Sequence, residues 1–210
     1  MFTGIVRGAF PVERIVRTQN AMSYSVGLPD VLLAGLERGA SVAIDGVCQT
    51  VALIEGSRVR FDANDETLRV TTLGELAEGS LVHVERSARQ GDENGGHVLS
   101  GHVDGTADIA AVERTADNLA LVVRVPSGLG KYVFNKGFIA LQGASLTVNG
   151  WDGQTNTFRV HLIPETLRLT TFGEKRIGDR VNLEIDRQTQ IIVDTIERAV
   201  ARALEGRGPL

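Results

Sequence analysis

Cys48 and Ser145 are the two side chains best placed to act on a small molecule. Each stands two residues after a glycine and two before a threonine, in Gly46-Val-Cys48-Gln-Thr50 and Gly143-Ala-Ser145-Leu-Thr147. A thiol or hydroxyl at the start of a strand, just after a tight glycine turn, can face a pocket mouth. No basic neighbour in sequence argues for a lowered thiolate pKa at Cys48, and a lone cysteine also reads as a small buried hydrophobe. His97 and His102 lie in Gly95-Gly-His-Val-Leu-Ser-Gly-His-Val-Asp-Gly105. Their spacing sets the two imidazoles on one face of neither a strand nor a helix, and no His or Cys cluster completes a zinc site. Gly95, Gly96 and Gly101 let backbone come close to a ligand or to another strand. Asp186 reads as a helix N-cap or as a general base. Glu66-Thr67-Leu68 and Glu165-Thr166-Leu167 each follow a strand, where they read as one helical turn whose free N–H groups could hold a carbonyl-rich ring. Walker, GxSxG and dinucleotide GxGxxG loops are absent from the sequence.

These residues come in pairs because the chain repeats. Gly46-Val-Cys-Gln-Thr-Val51, Glu66-Thr-Leu-Arg69 and Thr71-Thr-Leu-Gly74 return as Gly143-Ala-Ser-Leu-Thr-Val148, Glu165-Thr-Leu-Arg168 and Thr170-Thr-Phe-Gly173. The offset is 97 residues at the first motif and 99 at the others, which places two inserted residues in the turn near Trp151–Thr155. Gly4-Ile-Val-Arg-Gly8 matches Gly101-His-Val-Asp-Gly105, and Gly79, Val82 and Glu85 match Gly178, Val181 and Glu184. A period near 100 residues exceeds a solenoid repeat and suits a domain. Two tandem domains are expected, at 1–90 and 98–187, with a helix at 188–205. Each unit should begin with a Gly-x-Val-x-Gly strand. Two similar pockets can hold two similar molecules.

The elements that must position these residues are mostly short and β-branched. Ser41–Ile44, Val47–Ile54, Arg58–Phe61 and Leu81–Arg86 read as strands in the first unit. Leu119–Val125, Phe138–Leu141, Ser145–Trp151, Thr157–Leu162 and Arg180–Ile185 do so in the second. Glycine-marked turns between them suggest a sandwich or small barrel, and closing a six-strand sheet would remove its edges. Pro29 to Gly39 reads as a helix, with a weaker counterpart at Ser127–Val133. The polar stretch Ser87–Gly96 reads as the linker. In Arg187–Leu204, Ile192, Ile196, Val200 and Leu204 recur every four residues, with Asp186 at the N-cap position and Gly206 after the last turn. This narrow stripe fits self-association better than packing on its own barrel.

The net charge of −4 and the lack of a Lys/Arg run argue against nucleic-acid binding. A single cysteine excludes an intrachain disulfide. Neither a membrane-spanning run nor a secretion signal is visible, so a cytoplasmic protein is expected.

Taken in order, Met-Phe-Thr-Gly-Ile-Val, Gly46-Val-Cys-x-Thr-Val, Glu66-Thr-Leu-Arg-x-Thr-Thr-Leu-Gly, Gly95-Gly-His-x-x-Ser-Gly-His-Val-Asp-Gly, Gly143-Ala-Ser-Leu-Thr-Val, Leu162-Ile-Pro-Glu-Thr-Leu and Asp179-Arg-Val-Asn-Leu-Glu-Ile-Asp resemble the riboflavin synthase alpha-chain family over essentially the whole chain. The resemblance implies an all-β fold of two tandem six-stranded Greek-key barrels plus a C-terminal trimerisation helix. It implies a transferase that dismutates two 6,7-dimethyl-8-ribityllumazine molecules by four-carbon transfer, giving riboflavin and 5-amino-6-(ribitylamino)uracil in the last step of riboflavin biosynthesis. No metal or separate cofactor is implied. The partners would be two lumazines per site, riboflavin, other copies in a homotrimer and, as a candidate, lumazine synthase. Nucleic acid and membrane are not expected partners.

Carried over by residue, the first barrel's pocket would use Gly4, Ile5, Val6, Cys48, Gln49, Thr50, Asp62, Ala63, Asn64, Asp65, Glu66 and Thr67. The second would use Gly101, His102, Val103, Ser145, Leu146, Thr147, Leu162, Ile163, Pro164, Glu165 and Thr166. Lys136 would reach a ligand in the facing subunit. Ser145, Asp186, His102, Cys48 and His97 are similar to the residues credited with catalytic influence, with Ser145 expected to act with Asp186 and with His102 as proton shuttle. Gln49 and Gln142 depart from the usual pattern. Gln49 should face away from the pocket if Cys48 faces in, and Gln142 could alter the turn before Ser145. The competing reading is a non-catalytic, antenna-type lumazine- or flavin-binding homologue. The copies differ at Cys48 against Ser145, Ile5 against His102 and Ser87 against Asp186, which suits one molecule giving and the other receiving.

Overall fold

The computed structural model describes residues 1–115 and 118–205. In the first half, β1 (Gly8–Arg17), β2 (Ala21–Gly27), β3 (Ser41–Ile44), β4 (Val47–Glu55), β5 (Arg58–Asn64) and β6 (Leu81–Arg86) close into an antiparallel barrel in the order β1-β2-β5-β4-β3-β6. Period-2 burial explains the closure. Val59, Phe61 and Ala63 of β5 point inward while Arg58, Arg60 and Asp62 point out. The same inward set on the other strands adds Met22, Tyr24 and Val26, Val42 and Ile44, Val51, Val82 and Val84 to one core.

The second half is built from β7 (Gly105–Arg114), β8 (Leu119–Arg124), β9 (Phe138–Leu141), β10 (Ala144–Thr147), β11 (Asn149–Asp152), β12 (Thr157–Leu162) and β13 (Arg180–Ile185). They form a seven-stranded sheet in the order β10-β9-β13-β7-β8-β12-β11. This is the first barrel's order with one strand cut in two. The expected strand Ser145–Trp151 divides at Val148, whose N–H donates to Gly137 and whose carbonyl accepts from Lys136. Val51 makes the equivalent bonds in the first barrel, but there β4 runs through the bend as a bulge. The second barrel is therefore near-closed. The two inserted residues fall in the turn Gly153–Asn156, longer than Gly56-Ser57 between β4 and β5.

Several expected elements differ. Strands begin at Gly8 and Gly105, not at Gly4 and Gly101, because the glycines at 4 and 101 adopt φ of 75° and 76° and turn the chain away from its own barrel. The helix expected from Pro29 to Gly39 is a single turn, α1 (Asp30–Leu33), and Ser127–Tyr132 is a 3-10 turn. The Glu-Thr-Leu motifs do form short helices, α2 (Asp65–Val70) and α3 (Pro164–Leu169). Asn64 caps α2 by accepting from the Thr67 N–H at 2.9 Å. The linker 87–96 carries no regular structure.

The two barrels meet through equivalent residues of the two repeats. Phe2 bridges Leu99, and these two residues share a small core with Ala43 and Ala140. The turns Asp45-Gly46 and Gln142-Gly143 lie back to back, so closely that a Cβ on Gly46 would stand 2.5 Å from the Gly143 nitrogen. Gln142 does not alter its turn, since its φ of 45° matches the 49° of Asp45.

The C-terminal helix α4 (Arg187–Glu205) is capped by Asp186, whose Oδ2 accepts from the Thr189 N–H at 3.1 Å and from its hydroxyl at 2.7 Å. Gly206, expected as the stop, lies outside the described residues. Val193 packs on the second core, and the Tyr132 hydroxyl donates to Asp194 at 2.6 Å. The stripe Ile192, Ile196, Val200 and Leu204 faces away and is 52–64% exposed, so it does not pack on its own barrel. No helix among the described residues is long and apolar enough to cross a membrane.

Candidate functional site

Each pocket is built from one barrel plus a crossing segment tethered to the other. The N-terminal segment is anchored to the first barrel by Glu85 of β6. Its carboxylate accepts from the Thr3 N–H at 2.7 Å, the Thr3 hydroxyl at 2.7 Å and the Gly4 N–H at 3.0 Å. Gly4 then packs on the second barrel, where its carbonyl accepts from the Ser145 N–H at 2.9 Å. A Cβ on Gly4 would lie 2.5 Å from that of Ser145, so only glycine fits. Glu184 repeats the arrangement, accepting from the Ser100 N–H at 2.8 Å, the Ser100 hydroxyl at 2.7 Å and the Gly101 N–H at 3.1 Å. The Gly101 carbonyl accepts from the Cys48 N–H at 2.8 Å. Burial pushes the carboxyl pKa of Glu85 and Glu184 upward, against the pull of these hydrogen bonds.

This exchange corrects the grouping expected from the sequence. Gly4, Ile5 and Val6 join Ser145, Ile163, Glu165 and Thr166 around a cleft of about 170 Å³ in the second barrel, not the first. Val6 belongs to the second core, while Val103 packs on the first. His102 is exposed beside the Cys48 side of the molecule, and its carbonyl accepts from Arg187 at 2.7 Å. It is not among the residues lining the Ser145 cleft.

The hydroxyl of Ser145 pairs with His97, not with Asp186. His97 Nδ1 lies 2.6 Å from Ser145 Oγ, and its backbone N–H donates to the Thr3 carbonyl at 3.2 Å. Phe138 stacks on the imidazole with ring centroids 5.0 Å apart. Burial draws the His97 pKa below its ordinary value, while nearby Asp186 opposes this. A neutral imidazole beside a serine hydroxyl is a base–hydroxyl pair able to move a proton. His97 and Asp186 both line a second cavity, of about 390 Å³, with Phe138 and Arg187. The Nε2 of His97 is buried without a hydrogen-bond partner among the described residues. Asp186 keeps its capping role.

The other expected residues fall as follows. Cys48 is half-buried and packs on the small shared core. Gln49 points into the first barrel, as alternation predicts, and donates Nε2 to the Cys48 carbonyl at 3.0 Å. Thr50 and Thr147 are exposed. Ala63, Leu146 and Leu162 are core residues. Asp62 accepts from the Ser23 hydroxyl at 2.6 Å, and Asp65 and Pro164 open α2 and α3. Lys136, at φ 66°, donates to Asn149 at 2.8 Å and does not line the second barrel's cleft. Among the described residues, no group of three or more His, Cys, Asp and Glu side chains is placed to hold a metal ion.

Sequence reasoning gave no role to Glu85, Glu184, His83 or Asn182. The signal was present, since each pair aligns at the 99-residue offset within an otherwise apolar strand.

The "Lumazine binding domain" family pattern matches residues 3–87 and again 100–186. A riboflavin synthase of Escherichia coli K12 is 50% identical over 202 residues, 96% of this chain and 94% of that one. A riboflavin synthase of Chlamydia pneumoniae is 43% identical over 201 residues, 96% of this chain and 98% of that one. The crystal structure of LumP complexed with riboflavin superposes with a TM-score of 0.82 at 25% identity, covering 89% of this chain and all of that one.

Proposed function

The chain belongs to the riboflavin synthase family and is an enzyme of that family, and we infer that it converts two molecules of 6,7-dimethyl-8-ribityllumazine into riboflavin and 5-amino-6-(ribitylamino)uracil at pockets lined by the two barrels. The observation that carries the site assignment is the Ser145–His97 contact at the edge of the cleft built by Gly4–Val6 and α3. The Cys48 region, with Gly101–Val103 and α2, is the matching pocket.

The reaction needs two flat molecules face to face, and holding them so supplies much of the rate. The 7-methyl proton of the lumazine is acidic because the ring delocalises the anion, so a modest base suffices. His97, neutral and hydrogen-bonded to Ser145, is that base or its relay in the second barrel. No such imidazole backs Cys48, because His97 has no repeat counterpart. The two bound molecules would therefore meet different chemistry.

A cleft of about 170 Å³ is smaller than the roughly 300–1,000 Å³ usual for small-molecule sites. A facing surface from another copy, with Lys136 reaching in, would complete it. The exposed stripe of α4 supports a homotrimer as the assembly that brings such surfaces together.

Mixing the protein with 6,7-dimethyl-8-ribityllumazine and following riboflavin absorbance tests this reading. Turnover is expected to be lost when Ser145 and His97 are both replaced. Ligand bound without product by the unaltered protein would instead favour a binding-only homologue.

A further inference from the structure

His83 and Asn182 occupy the same place in the two repeats, on β6 and β13, and both side chains reach across the joint between the barrels. The imidazole of His83 has Nδ1 3.0 Å from the Gln142 carbonyl and Nε2 2.9 Å from the Thr171 N–H. A carbonyl only accepts and an amide N–H only donates, so Nδ1 carries the proton and Nε2 is bare. Asn182 copies this with its amide. Its Nδ2 donates to the Asp45 carbonyl at 2.8 Å, and its Oδ1 accepts from the Thr72 N–H at 2.7 Å.

What each side chain grips gives the pair a function. Gln142 lies three residues before Ser145, and Thr171 directly follows Thr170, a wall residue of the Ser145 cleft. One imidazole from the first barrel therefore ties together two walls of the second barrel's pocket. Asn182 does the converse, since Asp45 lies three residues before Cys48 and Thr72 follows the end of α2.

We propose that His83 and Asn182 are crossed positioning residues, His83 setting the geometry of the Ser145 pocket and Asn182 that of the Cys48 pocket. This rests on the reading of those clefts as the substrate pockets. Both residues are 1% exposed, and neither lines the Ser145 cleft. Because an asparagine already does this work at the equivalent slot, His83→Asn should retain the grip, whereas His83→Leu and Asn182→Leu each remove it at similar volume.

Cys48 is the only cysteine, so its labelling by a chromogenic disulfide reagent reports on the first pocket alone. Turnover of 6,7-dimethyl-8-ribityllumazine and Cys48 labelling, with and without riboflavin, would be measured for the full-length protein and the three variants. A misplacement of about 1 Å can cost on the order of 100-fold in rate. The expected result is that both leucine variants lose about 10- to 100-fold in turnover, with His83→Asn restoring it to within a few-fold. Cys48 labelling should speed up, and riboflavin protection weaken, in Asn182→Leu but not in His83→Leu. Equal effects of the two leucine variants on Cys48, wild-type turnover in both, or a His83→Asn variant as impaired as His83→Leu would overturn the proposal. If His83→Leu does not fold, the Asn182→Leu labelling and the His83→Asn rescue decide it. Absence of turnover in the unaltered protein would count against the substrate reading instead.

Discussion

Ser145 Oγ and His97 Nδ1 lie 2.6 Å apart, and among the described residues no side-chain hydrogen bond to Cys48 matches this pair in the first barrel. His97 comes from the segment joining the two barrels, so the repeat could not have duplicated it. The serine slot and the cysteine slot share a backbone and differ in the base behind them. Replacing Ser145 by Ala, or His97 by Ala, should each lower turnover by roughly 10²–10⁴-fold, the usual worth of a positioned proton-transfer group. The double variant should lose little more than the worse single one, because the two act as a unit. Steady-state rates with lumazine check this, and an unchanged Ser145→Ala rate would remove the serine from the mechanism. The sign of the pH effect follows from burial, which lowers the His97 pKa. The acid side of the rate profile should fall at a lower pH than free histidine would give.

The sequence made the repeat, the barrels and the terminal helix legible because those features are written in local patterns: period-2 alternation, glycine turns and a four-residue apolar stripe. The two Glu-Thr-Leu turns and the place of Ser145 at a cleft were legible for the same reason. The exchange of Gly4–Val6 and Gly101–Val103 between barrels was not. It depends on Glu85 and Glu184, each a buried acid more than eighty residues from the backbone that it holds. The partner of Ser145 was likewise hidden, since His97 lies 48 residues away and only tertiary packing brings them together.

Asp45 and His83 give the joint between the barrels opposite responses to pH. Burial raises the Asp45 carboxyl to about 7 and lowers the His83 imidazole to about 4. Asp45 binds protons more readily folded than unfolded, so its contribution is lost as pH rises through about 7. His83 binds them less readily folded, so its contribution is full above the ordinary histidine range and is lost as pH falls toward about 4. Asp45→Asn should remove the first effect, matching the uncharged Gln142 that serves the same turn in the second repeat. Each tenfold change in proton affinity on folding is worth about 1.4 kcal/mol. The variant is therefore expected to gain of order 1–3 kcal/mol over the parent at pH 8, once the structure's relaxation around the charge is allowed for, and little or nothing at about pH 4, near the ordinary carboxyl value of 3.8. Thermal melts from about pH 4 to 8 read this directly. A parent whose melting temperature does not fall relative to Asp45→Asn as pH rises from about 4 to about 7.5 would refute it.

The apolar stripe of α4 is left exposed among the described residues. Ile192, Ile196 and Val200 are each more than half exposed, while Val193 on the other face packs on the second core and Lys131 pairs with Glu197 at 2.6 Å. One face thus fixes the helix to its barrel, and the other is the face that the proposed association with further copies would cover. Removing three large aliphatic side chains from an interface at roughly 1.5–3 kcal/mol each would weaken association by roughly 10³- to 10⁶-fold per copy. Replacing Ile192, Ile196 and Val200 together by Gln should therefore give a monomer with the circular dichroism of the parent. Turnover should fall steeply, because the facing pocket would no longer be supplied. Titrating the monomeric variant with riboflavin should still register weak binding, because each barrel keeps its own pocket walls. Sedimentation and rate measured on the same sample separate the outcomes, and an active monomer would place the complete site within one chain.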